Sequence, residues 1–317
     1  MEKAKLIISL DFELHWGVFD AYDDRYNDNI LGARLAIPKI LELFKKYDIH
    51  ATWAIVGLLF NEDKSDYVKY QPLLLPSYED KRLNPFNCGI GEDEAADKLH
   101  YAHSIIKLIQ EYPNQEIASH SYSHYYCQAK GQTIAEFEED IKSAVNIAKD
   151  KFNINIKSFV FPKNEINQDY LNILNKYSIS TYRSNPNHIG FSDKYRNTII
   201  GKIFRILDSF ICISSYDKTS LVGPHEPKGI IGNRFLRPYK NKIINIFMLR
   251  RIISEMKFSA KHNYNYHLWW HPHNFGMNLE KNLDNLECVL KEFELLRGLY
   301  NMESVCMKNC FFEKTYE

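Results

Sequence analysis

Glu116–Cys127 reads EIASHSYSHYYC and places His120 and His124 four residues apart, just after the short apolar pair Ile117 and Ala118. That apolar pair reads as the end of a strand. If the chain turns helical at Ser119, the spacing stacks both imidazoles on one face, within reach of a single metal ion. Ser121 and Ser123 are small and suited to capping such a turn or orienting a ring by hydrogen bonds. Histidines meet at this spacing by chance in many chains. The pair gains weight from its company, a series of strand-like runs that finish in metal-ligand or proton-transfer residues.

Outward from this stretch, strand and helix patterns alternate. LIISL (6–10) is a compact buried strand, followed by helical periodicity over Ile30–Tyr47, where Pro38 predicts a kink or a late start. HATWAIV (50–56) is the next buried strand. Residues 61–91 have no clear period and contain three prolines, so they read as an irregular insertion of the kind that forms lids or binding elements. Helices are expected over Asp93–Tyr112 and over Thr133–Lys151, the latter opening on Thr133 and Glu136 in capping-box spacing. Ser158–Phe161 is a strand ending at Pro162, Gln168–Tyr177 a short helix, and Ile179–Tyr182 a strand ending at Arg183. Between Asn185 and Pro238 the pattern blurs, with strands expected near Phe204–Leu207 and Phe210–Ser214. A long helix over Lys242–His262, a strand over Tyr266–Trp270, a helix near Leu283–Leu296 and a short strand near Ser304–Met307 complete the chain. No internal repeat or linker divides it. The expectation is one α/β domain over residues 1–317, a parallel sheet with helices outside, open or closed into a barrel. In such architectures the chemistry gathers at the carboxyl ends of the strands.

The first strand runs into SLDFELHWG. Asp11 and Glu13 lie two apart, so on extended chain both side chains point the same way. Adjacent carboxylates repel, and a site gains by dividing their work between holding a cation and acting as a base. One carboxylate with His120 and His124 makes a three-ligand site with a position open for water, the arrangement of a hydrolytic metal centre. The last long strand runs into YHLWWHPHNFG. His271 at that rim is a natural general acid for a departing amine, with His273 placed to orient it or bind substrate. The tryptophans before it either floor a sugar site or pack.

Bulk composition narrows the field. With 45% hydrophobic and 25% charged residues the chain is that of a soluble globular protein. Lys+Arg and Asp+Glu are both 40, which argues against a broad grip on nucleic acid. The opening MEKAKLIISL is too short for a signal-peptide core, and no window of about eighteen apolar residues follows, so a cytosolic protein without an integral membrane segment is expected. The cysteines (88, 127, 212, 288, 306, 310) form no C-x-x-C pair and are expected to be free thiols, with Cys127 packed rather than ligating.

Taken together, SLDFE, SHSYSH, FVFPKN and LWWHPH, in that order, resemble the four motifs of the NodB-homology polysaccharide deacetylases, carbohydrate esterase family 4. The resemblance spans most of the chain and looks closest to a bacterial subgroup associated with surface-polysaccharide biosynthesis. It implies a distorted (β/α)7 barrel and metal-dependent removal of an N-acyl group, N-acetyl above all, from an amino sugar in a polysaccharide precursor. It further implies Asp11 as base, His271 as acid, and Glu13, His120 and His124 as ligands of a divalent metal, with zinc the default for two histidines and one carboxylate. Trp16, Arg183, Trp270 and His273 are the candidate substrate contacts. Two departures stand out. Phe12 occupies the second place of the family's paired aspartates, so Asp11 and Glu13 are open to exchanged roles. Val160 stands where the third motif carries an arginine, leaving either Lys163 or Arg183 to orient the base. His225, Arg234 and Arg237 are open to two readings, as phosphate ligands on a nucleotide- or lipid-linked sugar or as an ordinary solvated loop. Rival functions are a non-catalytic sugar-binding barrel and a glycosidase using Asp11 and Glu13.

Overall fold

The computed structural model describes residues 3–192, 194–195, 198–211, 213–214, 221–222 and 227–311. In chain order the strands are β1 (Lys5–Phe12), β2 (Ala51–Ile55), β3 (Gln115–Ser119), β4 (Ser158–Phe159), β5 (Thr181–Ser184), β6 (Leu221–Val222), β7 (Lys228–Ile231), β8 (Arg234–Phe235), β9 (Tyr266–Trp270) and β10 (Glu303–Val305). The α-helices are α1 (Asn27–Lys46), α2 (Lys64–Tyr70), α3 (His103–Glu111), α4 (Ile134–Phe152), α5 (Leu171–Lys176), α6 (Ile199–Asp208), α7 (Lys242–His262) and α8 (Leu279–Tyr300).

Every residue of β1 after Lys5 is buried, as befits a strand covered on both faces of a parallel sheet. β1 pairs in parallel with β2 and β9, and its first residues also pair with β10. From β1 the parallel ladder continues through β2, β3, β4 and β5 to β7, while β8 lies beside β9 and β6 is antiparallel on β7. β7 and β8 are two halves of one kinked segment interrupted at Gly232 and Asn233. The first half pairs with β5 and the second with β9, so the main chain itself joins the two ends of the sheet. With that segment counted once, seven parallel staves surround the axis, the distorted (β/α)7 barrel that the resemblance implied.

Alternation along each strand sorts the side chains. Leu6, Ile8 and Leu10 of β1 belong to the large outer core together with Ile37, Ile40 and Leu41 of α1. Ile7, Ala54, Ala118, Val160 and Ile230 form a small inner core, stoppered by Met307 and Cys310. The lower barrel also holds Glu116, which accepts hydrogen bonds from Thr52, Ser158 and the Lys308 backbone N–H. Two positions further along, the inward columns of β1 and β3 turn polar, with Ser9 and His120 at the upper rim.

Several elements differ from expectation. The helix expected over Asp93–Tyr112 begins only at His103, because the Asp97 carboxylate takes the N–H groups of Gly91, Leu99 and His100 and holds the preceding chain in turns. Residues 61–91 contain α2 and two 3-10 turns, Lys81–Leu83 and Pro85–Asn87. Phe204–Leu207, expected as a strand, lies within α6. Pro38 rides inside α1 without delaying its start. Cys88, Cys288 and Cys306 are free thiols, and Cys212 and His225 lie outside the described residues. No helix among the described residues is long and apolar enough to cross a membrane.

Candidate active site

The inward column of β1 delivers Ser9 and Asp11 to the rim, and one step beyond the strand the chain places Glu13 above them. Glu13 needs room there, and Gly17 supplies it: a Cβ on Gly17 would lie 1.9 Å from Glu13 Oε2. The inward column of β3 ends on His120. The residues after it do not turn helical, contrary to the spacing argument. Ser121 and His124 adopt left-handed backbone angles, and the loop is held from outside by Asp140 of α4. That carboxylate accepts from the backbone N–H groups of Tyr122 (2.6 Å) and Ser123 (3.0 Å) and from the Ser123 hydroxyl. His124 is thereby folded back over His120, with ring centroids 5.1 Å apart.

Three ligand atoms converge as a result. Glu13 Oε1 lies 2.9 Å from His120 Nε2 and 3.3 Å from His124 Nε2. His120 Nδ1 is 2.8 Å from the Val160 carbonyl oxygen, which can only accept, so Nδ1 carries a proton and Nε2 is the atom turned to the carboxylate. A shared proton or a metal ion accommodates an imidazole nitrogen and a carboxylate oxygen at that separation. Ligand atoms about 2.1 Å from a tetrahedral ion stand roughly 3.4 Å apart, which these distances approach. Two imidazoles and one carboxylate suit Zn²⁺. Burial by itself would raise the Glu13 carboxyl, but His271 and the hydrogen bonds of all three histidines hold it well below the usual range.

Asp11 sits on the other flank. Both its oxygens are taken by Arg183 of β5, at 2.7 and 2.6 Å. The same guanidinium reaches Ser9 Oγ at 3.0 Å and Asn164 Oδ1 at 3.1 and 2.9 Å, and it lies 4.1 Å from the Trp269 ring centroid. Ser9 Oγ is in turn 2.8 Å from His267 Nε2. Desolvation pushes the Asp11 carboxyl up, and Arg183 more than offsets it, so Asp11 is held ionised below its ordinary value. His271, at the end of the inward column of β9, brings Nε2 to 3.7 Å from Asp11 and 3.5 Å from Glu13. Burial lowers its basicity, but the two carboxylates more than compensate, and the imidazole is shifted upward. Its side chain is 24% exposed where Asp11, Glu13, His120, His124 and Arg183 are 4% or less, so His271 is the group of the six that faces the open cavity.

Other predicted positions fall elsewhere. Lys163 pairs with Asp20 at 2.8 Å and lies over the Tyr126 ring; of the two cations weighed for orienting Asp11, the one beside it is Arg183. Arg183 is therefore buried behind the carboxylate instead of facing substrate. Trp16 is buried with its indole N–H on the His100 carbonyl oxygen, and Trp270 is buried against Phe44 and Phe275, so neither floors a sugar site. Strand parity accounts for the second: His267, Trp269 and His271 point inward and Trp270 outward. Trp269 is the tryptophan that lines the cavity beside His271. His273 is buried and stacks on His271, with ring centroids 5.0 Å apart. Asn164, His267 and Asp140 act only through residues far away in sequence, and no local pattern marks them.

A parallel barrel with carboxylates, imidazoles and an arginine gathered at its carboxyl rim defines a hydrolase-like active-site class. The polysaccharide deacetylase family model matches residues 18–182, just over half of the chain, and the protein belongs to that family. The matched segment includes the His120–His124 loop and Arg183's strand up to Tyr182, while Asp11, Glu13 and His271 lie outside it. No curated protein matches the chain. Among solved structures, a Mycobacterium smegmatis protein described as a polysaccharide deacetylase is similar with a TM-score of 0.62 at 9% identity, covering 97% of this chain and 88% of that one. A 4-alpha-glucanotransferase from Thermococcus litoralis gives a TM-score of 0.51 at 9% identity, covering 93% of this chain and 38% of that one. A family 4 carbohydrate esterase from Streptomyces lividans, in complex with acetate, gives 0.45 at 8% identity, covering 96% and 93%. At these identities the first two likenesses, with TM-scores above 0.5, speak to the fold. Carbohydrate deacetylation is the reaction class of the family.

Proposed function

We propose that the protein hydrolyses the N-acetyl group of an amino sugar in a surface-polysaccharide precursor, with a divalent metal, zinc by its donor set, held by Glu13, His120 and His124. The observation that carries this reading is the position of Glu13 between two imidazoles on one side and His271 on the other, with Asp11 3.7 Å from His271. When bound, the ion would polarise the acyl carbonyl and acidify the attacking water. Asp11, ionised and fixed by Arg183, accepts the proton of that water. Its two oxygens are held in plane by the guanidinium, so the carboxylate meets the water in one orientation. His271 then gives a proton to the sugar nitrogen as the C–N bond breaks, which frees the amine as a leaving group. Asp11, 3.7 Å from His271, favours the protonated imidazole. Glu13 stays committed to the cation, which separates the tasks of the two carboxylates, and Arg183 supplies from β5 the charge absent at Val160.

The test is acetate release from N-acetylated amino sugars and their phosphorylated conjugates, alongside metal analysis of the purified protein. Asp11→Ala and His120→Ala are expected to fold and release no acetate, and His120→Ala to lose the metal. Near-normal turnover by either variant refutes the assignment.

A further inference from the structure

A surface helix of a globular domain ordinarily turns its apolar stripe inward and its charges outward. α6 does the reverse. Its sequence, IIGKIFRILD, buries Gly201 and Asp208 and leaves Ile199, Ile200, Ile203, Ile206 and Leu207 38–76% exposed. These five recur at helical spacing and make one outward stripe. The inward side is polar. Asp208 enters a buried quartet of two cations and two anions with Arg234, Arg251 and Glu255. Together with Arg205 and Ser209 it also lines the cavity that begins at His271. Buried ion pairs therefore fix the rotation of α6, and its aliphatic face is held toward solvent.

The apolar surface continues beyond the helix. Ile211 and Ile213 are exposed just after it. Arg251 of α7 donates to the Ser214 carbonyl oxygen at 3.3 Å, and one turn before Arg251 stands Phe247, exposed together with Ile243 and Ile246. Arg237 ties the approach to α7 onto α6, donating from Nε to Ser209 Oγ at 2.8 Å and from Nη2 to the Arg205 carbonyl oxygen at 3.3 Å. Around these side chains the charge is of one sign. Residues 194–250 hold eleven Lys and Arg against three Asp and Glu, in a chain whose totals are 40 and 40. Lys194, Lys202, Lys240, Lys242 and Arg250 are exposed, whereas Asp208, the one carboxylate among the described residues of that span, is buried.

We infer that α6 and the first turns of α7 seat the protein on an anionic bilayer surface, with the isoleucines among the acyl chains and the lysines at headgroup level. A helix with a broad aliphatic face flanked by lysine is the form that lies in the membrane interface. No helix among the described residues is long and apolar enough to cross the bilayer instead. Anionic headgroups supply the counter-charge. A second copy of the chain fits less well, because a self-complementary contact would set this positive surface against itself. Lysine is also depleted at protein–protein interfaces. Since the inward side of α6 lines the cavity, docking holds the active site beside the lipid, whatever reaction it carries out.

Flotation of the full chain with vesicles of equal parts phosphatidylglycerol and phosphatidylcholine tests this. Wild type is expected to float with the mixed vesicles, and about tenfold less with phosphatidylcholine alone. Ile199→Ser combined with Ile203→Ser is expected to weaken binding about tenfold. Lys202→Glu combined with Lys242→Glu should weaken it several-fold at low salt, and Leu299→Ser, at an exposed position on α8, should leave it unchanged. All these positions face solvent, so circular dichroism and Tm should stay at wild-type values. Absence of flotation, equal flotation with neutral vesicles, or indifference to the isoleucine pair overturns the inference. So does a wild-type dimer in sedimentation equilibrium that the isoleucine pair converts to monomer, which would assign the face to a second copy. No arm depends on acetate release, so failure of the deacetylase reading and failure of this one are separable.

Discussion

Arg183 joins fold to chemistry in a single side chain. It is 1% exposed, comes from β5, and spends its donors on Asp11, Ser9 and Asn164. Replacing it with alanine would strand a buried carboxylate, at about 3–5 kcal/mol in stability. Arg183→Lys is the more informative change, because an ammonium keeps the charge and loses the fork. The variant is expected to fold, to lose roughly 100-fold in kcat/KM through misplacement of the base, and to show the acid limb of its pH–rate profile displaced upward as Asp11 becomes easier to protonate. An acid limb that stays in place would remove Arg183 from its role. Gly17 gives a second residue-level prediction. Any side chain there collides with Glu13, so Gly17→Ala should weaken zinc affinity roughly 10–100-fold, read by competition with a chromophoric chelator, with little change in far-UV circular dichroism. Much of this set was readable from sequence, because Asp11, Glu13, His120 and His271 all follow apolar strand runs. Choosing between Lys163 and Arg183 was not. Both follow strands closely, and only the backbone of the turn at Lys163 and Asn164, with φ of 55° and 53°, turns the lysine toward Asp20. Trp270 was misplaced for a simpler reason, since parity with His271 already pointed to Trp269.

At the level of elements, the loop from β3 to α4 shows how a helix can shape a site without touching it. α4 is a strongly specified helix: Thr133 and Glu136 close a capping box, and Asn153 ends it in the left-handed region. Its buried Asp140 projects back and takes the N–H groups that a helical turn after Ser119 would have used. Asp140→Ala leaves those buried donors unmatched, at about 1–3 kcal/mol each, and frees His124 to leave Glu13. Thr133→Ala removes one cap at about 1 kcal/mol and leaves the loop alone. The expected contrast is a lowered Tm in both variants and loss of zinc only in Asp140→Ala. Equal zinc content would make Asp140 a stability residue and nothing more. Helices with strong end signals, α4 and α7 among them, were readable to within a residue or two. The sequence starts α3 ten residues too early, because Asp97 competes for backbone donors in a stretch whose apolar spacing looks helical. Phe204–Leu207, inside α6, reads as strand because three of its four residues are apolar, and a short apolar run does not distinguish the two.

The whole molecule closes through the kinked segment of β7 and β8, and the buried charge quartet sits where that closure is made. Arg234 of β8 bonds Asp208 at the end of α6 at 2.7 Å and Glu255 of α7 at 2.5 Å, and Tyr266 of β9 donates to the same Glu255 at 3.1 Å. Four elements that share no local sequence are thus tied together through one guanidinium and the Glu255 carboxylate, which is why this third of the barrel looks featureless as sequence. Burial would raise the Asp208 carboxyl. The charge of Arg234 and the hydrogen bonds from Arg234 and Ser214 outweigh it and bring the pKa down to about 2. A carboxyl held below its ordinary 3.8 adds stability that is complete above that value and is withdrawn as pH falls toward 2, because the unfolded chain takes up the proton first. The contribution is at most on the order of 2 kcal/mol before solvent screening reduces it. Asp97 and Glu287 are also held near 2 and add to the acid sensitivity of the wild type, so the informative quantity is a difference. Urea unfolding of wild type and Asp208→Asn at pH 7, 4 and 3 should show a stability gap that is widest at pH 7, hardly changed at pH 4, and visibly narrowed at pH 3. A gap independent of pH would mean that Asp208 acts through packing and hydrogen bonds alone, and that the barrel's closure does not depend on its charge.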